Sequence, residues 1–287
     1  MPHGESFCVL WERQVAQMLK DITIGQYFPG NSVLHRLDPR MKIIMTMGYI
    51  TALFIANNMA GLLISAAMGL AGYLISGIPL VMVKNSLKPV VPIIIFTAVL
   101  NMIFVEGTPV FELWIIKITR EGVLLAVLMV VRIICLIAGT SLLTYTTSPI
   151  ALTDAIERLL SPLKRLRVPV HELAMMMTIA LRFIPTLIEE TDKIMSAQKA
   201  RGADMESGGL IDRAKALIPI LIPLFVSSFR RADELALAME CRCYHGDEGR
   251  TRMKQLQYAP RDFWALTFSL LMVALVVAMN FIFPSMY

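Results

Sequence analysis

Apolar and polar positions divide the chain into two kinds of segment. Five stretches, 41–57, 60–80, 89–105, 123–145 and 263–283, are apolar on every side. Each comes near the roughly 20 residues that cross a hydrocarbon core, so they predict five membrane-spanning helices, the first of them short. Met59, Ala60 and Gly61 leave room only for a tight turn between the first two, which therefore form a hairpin.

Residues 147–261 follow another rule. After Pro149, Leu152, Ile156, Leu159, Leu160, Leu163 and Leu166 recur at helical spacing opposite Asp154, Glu157, Arg158, Lys164 and Arg165. This predicts an amphipathic helix at the membrane surface, capped by Ser148, with Pro149 in its first turn and its end near Val168-Pro169. A second helix is predicted over 171–201 and a third over 212–244, with 202–209 between them. At 1.5 Å per residue the second is about 45 Å long. Both begin apolar and turn polar. Their apolar parts, 173–188 and 217–226, are shorter than a comfortable span. Were both to cross, Lys193, Lys199, Arg201, Arg213 and Lys215 would lie outside, against the positive-inside tendency. They are read as helices lying partly in the interface and partly in the cytoplasm.

Composition settles the class. Of 287 residues 56% are hydrophobic and 17% charged, and the mean hydropathy is +0.64. That is too apolar for an ordinary soluble domain, so the expected fold is an all-α integral membrane protein. Arg36, Arg40 and Lys42 precede the first span, Lys84 and Lys88 follow the second, and 147–261 hold most of the 27 basic residues. The N-terminus and the large polar block are therefore expected inside and the C-terminus outside. The expected organisation is an N-terminal cytoplasmic segment 1–40, spans one to four in 41–146, the polar block 147–261 and a last span in 262–287. Residues 1–20 lack the apolar core of a cleavable signal peptide. Met18 is an alternative start that would leave 1–17 outside the fold.

The net charge of +5 is what positive-inside loops produce. No basic face is interleaved with aromatics, so no nucleic-acid partner is expected. Cys8, Cys135, Cys241 and Cys243 fall in the membrane or on the expected inner side, which implies no disulfide framework. No G-x-x-x-x-G-K-[ST], H-E-x-x-H or G-x-S-x-G is present, nor a carboxylate pair within a span. No catalytic residue, cofactor or enzyme activity is implied. The run Cys241–His245 offers three soft ligands, but zinc usually wants a fourth and a C-x-x-C turn, so no metal site is expected. Arg132 is the one charge inside a predicted span, a place where charge is costly. Its ordinary role would be to face other helices and bind backbone carbonyls or an inner carboxylate. Arg36, Asp38 and Arg40 could meet a partner, or could serve local folding and anchoring alone. Met175, Met176 and Met177 could form an adaptable sliding surface.

Two short words stand out against this background, A-Q-K-A-R-G and A-M-E-C-R-C. Ala197 lies four residues before Arg201 and Ala238 four before Arg242. Each arginine has small neighbours, Ala200 and Gly202 at the first, Cys241 and Cys243 at the second. Nothing beside such a guanidinium stops a partner surface from closing around it. Two matched plugs at helix ends suggest two equivalent sockets.

Together these residues resemble the transmembrane T component family of energy-coupling factor transporters. The resemblance runs from Ile24 to the end of the chain. It rests on Y-F-P-G-N-S-x-x-H-R-L-D-P-R-x-K at 27–42 and T-T-S-P-x-x-L-T-D-A-I-E-R-L-L at 146–160. R-F-I-P at 182–185, A-R-G at 200–202 and the second small-Arg-small tripeptide add to it. C-R-C departs from the alanine and glycine that the family often shows there. The resemblance implies a non-catalytic cell-membrane subunit with long coupling helices. Its partners would be two cytoplasmic ABC-type ATPases and a substrate-binding membrane S component, serving uptake of vitamins or other micronutrients. Arg201 and Arg242 would each enter a groove on one ATPase. Leu152, Ile156, Leu159, Leu160, Leu163, Met175 and Met176 would meet the S component. Two rival functions are a permease with its own substrate path, which would need more polar span residues than Arg132, and a membrane enzyme, for which no acid, base or metal constellation is found.

Overall fold

A computed structural model describes residues 27–105, 108–113, 116–203, 209–246 and 256–282. The reading of 1–17 as outside the fold lies beyond the described residues. Among these residues the chain is helical apart from one short antiparallel hairpin, β1 (Pro109–Leu113) with β2 (Ile116–Thr119). Nine α-helices are described: α1 (Pro39–Ile55), α2 (Met59–Ser76), α3 (Leu80–Leu87), α4 (Val91–Phe104), α5 (Arg120–Thr146), α6 (Pro149–Leu160), α7 (Val170–Ala200), α8 (Leu210–Glu240) and α9 (Pro260–Ile282).

The chain divides into two compact units. One comprises Gln26–Ala155 with Gln255–Tyr287, and the other is built around Ile156–Lys254. In the first, α5 packs against α1, α2, α3 and α4, while α9 packs against α1 and α2. The expected spans correspond to α1, α2, α4, α5 and α9. Two details differ. Helix α4 has only 14 residues, about 21 Å, and is too short to cross alone. By length and composition it reaches span length only when taken together with α3, the two being inclined at 64°. Pro89 lies within the break and Pro92 just after it, and neither can donate the helical hydrogen bond that would keep the pair straight. Second, by length and composition the qualifying single helices are α2, α5, α9 and also α7, whereas α1 with 17 residues falls just short.

Phe54, Leu74, Phe96, Trp264 and Phe281 are exposed on the bundle helices, as side chains facing lipid tails would be. The interior is tight. Tyr49, Leu53 and Cys135 form one cluster, and Ala52, Ala56 and Val276 another. A Cβ at Gly139 would overlap the Tyr49 ring, so glycine is what lets α1 and α5 approach there.

The turn-rich motif before α1 becomes a polar clasp. Asp38 is the N-cap of α1, accepting from Arg40 N, and Pro39 is its first residue. Arg40 makes a bidentate pair with Asp38 (2.8 and 3.1 Å) and lies 3.9 Å over the Tyr258 ring. Asp262, 1% exposed at the start of α9, accepts from the backbone N–H of Asp38 and of Ala259. Lys42 is equally enclosed, donating to the carbonyls of Thr146 (2.8 Å) and His35 (3.3 Å) and to Thr147 Oγ1 (3.3 Å). His35 in turn joins Ser32 Oγ and the Phe28 carbonyl. The charges of Asp38, Asp262, Arg40 and Lys42 thus balance in one buried network.

Candidate functional site

The second unit carries the two arginine words on a helical hairpin. Helices α7 and α8, 31 residues each, pack side by side. Three hydrogen-bonded pairings fix their sense: Gln198 meets Pro219, Glu190 meets Ser227 and Arg231, and Tyr244 meets Met175. As one number rises the other falls, so the helices are antiparallel. Arg201 therefore closes one end of the hairpin and Arg242 the other. At 1.5 Å per residue the 31-residue helices hold the two ends on the order of 40 Å apart.

Both words end their helices in the same hydrogen-bonded loop. At the first, Gly202 N–H donates to Lys199 O and Ala203 N–H to Gln198 O (both 3.0 Å). At the second, Cys243 N–H donates to Glu240 O (2.8 Å) and Tyr244 N–H to Met239 O (3.0 Å). This is the Schellman ending, which needs a left-handed residue just after the cap. Gly202 (φ 82°) and Cys243 (φ 54°) supply it. Each arginine is the cap residue itself, and the backbone turns away directly after it. Arg201, Gly202, Cys241, Arg242 and Cys243 are exposed, as is Ala200. The third small residue of each word thus has a backbone role as well as a steric one, a role the sequence did not disclose.

Between the ends, the hairpin is held by a polar latch. Arg231 Nη2 lies 2.7 Å from Glu190 Oε2, and Ser227 Oγ donates to the other oxygen of the same carboxylate. Both words and this latch lie in one compact unit.

The remaining candidates separate into groups. On α6, the buried residues are Thr153, Ala155 and Glu157. The expected apolar face is left partly open: Leu152, Ile156 and Leu159 are half-buried, while Leu160 at the end of α6 and Leu163 in the following 3-10 turn (Ser161–Leu166) are exposed. That turn replaces the last part of the predicted amphipathic helix, because Pro162 cannot extend the α-helical ladder. Glu157 meets His171 at 3.1 Å and so joins α6 to the start of α7. Met175 is half-buried beneath Tyr244, and Met176 is exposed. Arg36 is exposed, whereas Asp38 and Arg40 are engaged in the clasp. Arg132 Nη2 donates to the Ala56 carbonyl at 2.5 Å, at the C-cap of α1. Lys42 and Asp262, absent from the sequence-based site, are the other buried charges of the bundle. Among the described residues no three His, Cys, Asp or Glu side chains are placed to share a metal ion. A cavity of about 290 Å³ in the bundle is lined mainly by apolar residues, including Leu37, Tyr49, Ile75, Leu142 and Phe268.

A bundle of apolar, span-length helices is joined in one chain to a hairpin displaying two similarly built arginine ends. The chain belongs to the family of transmembrane components of energy-coupling factor transporters, being matched over residues 30–253 by the CbiQ family, described as cobalt transport protein. Three relatives are each named energy-coupling factor transporter transmembrane protein EcfT. That of Ruminiclostridium cellulolyticum is 53% identical over 93% of this chain and 100% of its own. That of Clostridium kluyveri is 55% identical over 91% of this chain and 97% of its own. The Bacillus subtilis protein is 44% identical over 90% and 98%. The chain is thus a multi-pass membrane transport subunit within a larger complex.

Proposed function

We propose that this chain is a mechanical link that passes ATP-driven closure of two cytoplasmic ABC-type ATPases to a substrate-binding membrane S component. The observation that carries the reading is the pair of exposed arginines, Arg201 and Arg242, set in the same Schellman ending at opposite ends of one hairpin. Two equal ends call for two equal partners. Each guanidinium enters a groove on one ATPase and pairs with acidic groups there; breaking such a buried charged pair typically costs about 2–5 kcal/mol.

The open apolar residues of α6 and its 3-10 turn, with Met175 and Met176 on α7, form the surface for the S component. Closure of the ATPases moves both hairpin ends together, and this rigid-body motion tips the S component to release its substrate inward. The distribution of Lys and Arg supports a cytoplasmic N-terminus and hairpin and an outer C-terminus. The cargo is a vitamin or another micronutrient, a class that includes the metal ion in the CbiQ family's description.

The test is Arg201→Glu combined with Arg242→Glu in the complete transporter. Co-purification of the ATPases and substrate uptake should both be lost. Full assembly with full uptake in the double variant refutes the assignment.

A further inference from the structure

Helix α8 runs unbroken from Leu210 to Glu240 although Pro219 and Pro223 lie within it. Proline has no backbone N–H, so Pro223 cannot donate to the carbonyl four residues earlier. That carbonyl belongs to Pro219. The side-chain amide of Gln198, on α7, donates to it at 3.2 Å. A vacancy in one helix's ladder is thereby filled from the other helix.

Gln198 is also part of the first arginine word. Its backbone carbonyl accepts from Arg201 N–H (3.1 Å) and from Ala203 N–H (3.0 Å). One residue therefore holds the backbone of Arg201 and reaches across to α8. At the other end Met239 takes the corresponding backbone role, accepting from Arg242 and Tyr244, and Tyr244 Oη donates across to Met175 Sδ at 3.0 Å. Each arginine end is thus referenced to the opposite helix, the first through an acceptor that Pro223 leaves without its helical donor.

We infer that Gln198 is a positioning residue, which ties the Arg201 end of α7 to the proline-opened turn of α8 so that displacement of the arginine is passed into α8. Without the tether, the last turns of α7 flex alone and motion at Arg201 is dissipated. The inference rests on the coupling role of Arg201 proposed above.

The test uses Gln198→Glu, which keeps size but removes the donor, and Pro223→Ala, which restores the N–H that claims the Pro219 carbonyl. Two measurements are made. The first is backbone amide exchange over residues 198–203 in the purified chain, which does not depend on any ATPase. Gln198→Glu should speed exchange there about twofold to tenfold, the factor that one net hydrogen bond is worth. In the Pro223→Ala background, where the carbonyl is already claimed, the same substitution should add nothing. Unchanged exchange in Gln198→Glu, or an equal effect in both backgrounds, overturns the tether. The second is substrate taken up per ATP hydrolysed by the reconstituted complete transporter. It should fall at least about twofold in Gln198→Glu while the ATPases remain bound. Faster exchange with undiminished uptake per ATP overturns the positioning role and leaves only a structural bond. The Arg201→Glu, Arg242→Glu protein assayed in parallel reports on the coupling reading itself, since its failure appears in uptake and not in the exchange data.

Discussion

Gly202 and Cys243 hold the same place in two copies of one helix ending, each the left-handed residue that directly follows an arginine cap. The two residues are not equally suited to it. Glycine adopts positive φ freely, whereas an L-residue with a side chain pays about 1 kcal/mol. A Cβ at position 202 would meet nothing within 4 Å, so the requirement there is one of backbone and not of space. Gly202→Ala is expected to lower stability by about 1 kcal/mol. Cys243→Gly should raise it by about 0.5–1 kcal/mol, part of the relief being offset by the freedom glycine adds to the unfolded chain. Thermal unfolding of the purified chain checks both, and shifts of opposite sign would trace them to this one conformation.

The latch at the middle of the hairpin makes a second prediction. Glu190 and Arg231 are partly open to solvent, so their attraction is screened and the pair is worth no more than about 1 kcal/mol. Glu190→Ala and Arg231→Ala, alone and together, should give a coupling energy of that size in a double-mutant cycle read by thermal unfolding. Ser227→Ala should cost about 1 kcal/mol more in the presence of Glu190 than in its absence. A coupling energy near zero would show that this latch does not contribute to the pairing of α7 and α8.

Lys42 should prove a costly single loss in the bundle, of the same order as Asp262. Its ammonium serves three oxygens from residues 35, 146 and 147 while itself 5% exposed. Lys42→Met leaves those acceptors buried without their donor. The expected cost is on the order of 3 kcal/mol. Asp262→Ala strands two backbone N–H groups, of Asp38 and Ala259, and should cost about 2–4 kcal/mol. Both should appear as lost expression or a lowered unfolding temperature in detergent, with residual uptake in proportion to the folded protein.

Arg132 is expected to matter for folding and not for cargo. It donates to the Ala56 carbonyl at the end of α1, where helix carbonyls lack their own donors and a cation is favoured by the dipole. Arg132→Gln should lower stability by about 1–2 kcal/mol. The KM for uptake should be unchanged in the assembled transporter. An altered KM with normal assembly would instead place Arg132 on a substrate path.

Much of this architecture is legible along the chain because the membrane enforces local rules. A span must be about 20 apolar residues long wherever it packs, so α2, α5 and α9 can be located without knowing their neighbours. Helix starts can be equally local: Ser148-Pro149 marks one in the chain, and α6 begins there, whereas the Asp38 cap of α1 emerged with the structure. The arginine words are visible for the same reason, as short residue patterns at the ends of periodic runs. The bend between α3 and α4 is less legible, since prolines mark a break and not its angle.

What only the tertiary structure decided is whatever depends on two distant segments meeting. Periodicity shows which face of α7 is apolar and says nothing about the direction in which α8 lies along it, so the opposite placement of Arg201 and Arg242 could not be read from either helix. Cysteine at 243 suggested small size, yet its positive φ emerges only from the closed Schellman loop. Lys42 counts as one more inside-positive charge until Thr146, more than a hundred residues later, is brought against it. Gln198 is an unremarked polar residue until Pro219 presents a carbonyl that its own helix cannot satisfy. Sequence alone determined the elements, because helix formation and membrane insertion are set by neighbours in the chain. The tertiary structure decided the partners, because a buried charge or an open carbonyl is satisfied by whatever folding places beside it.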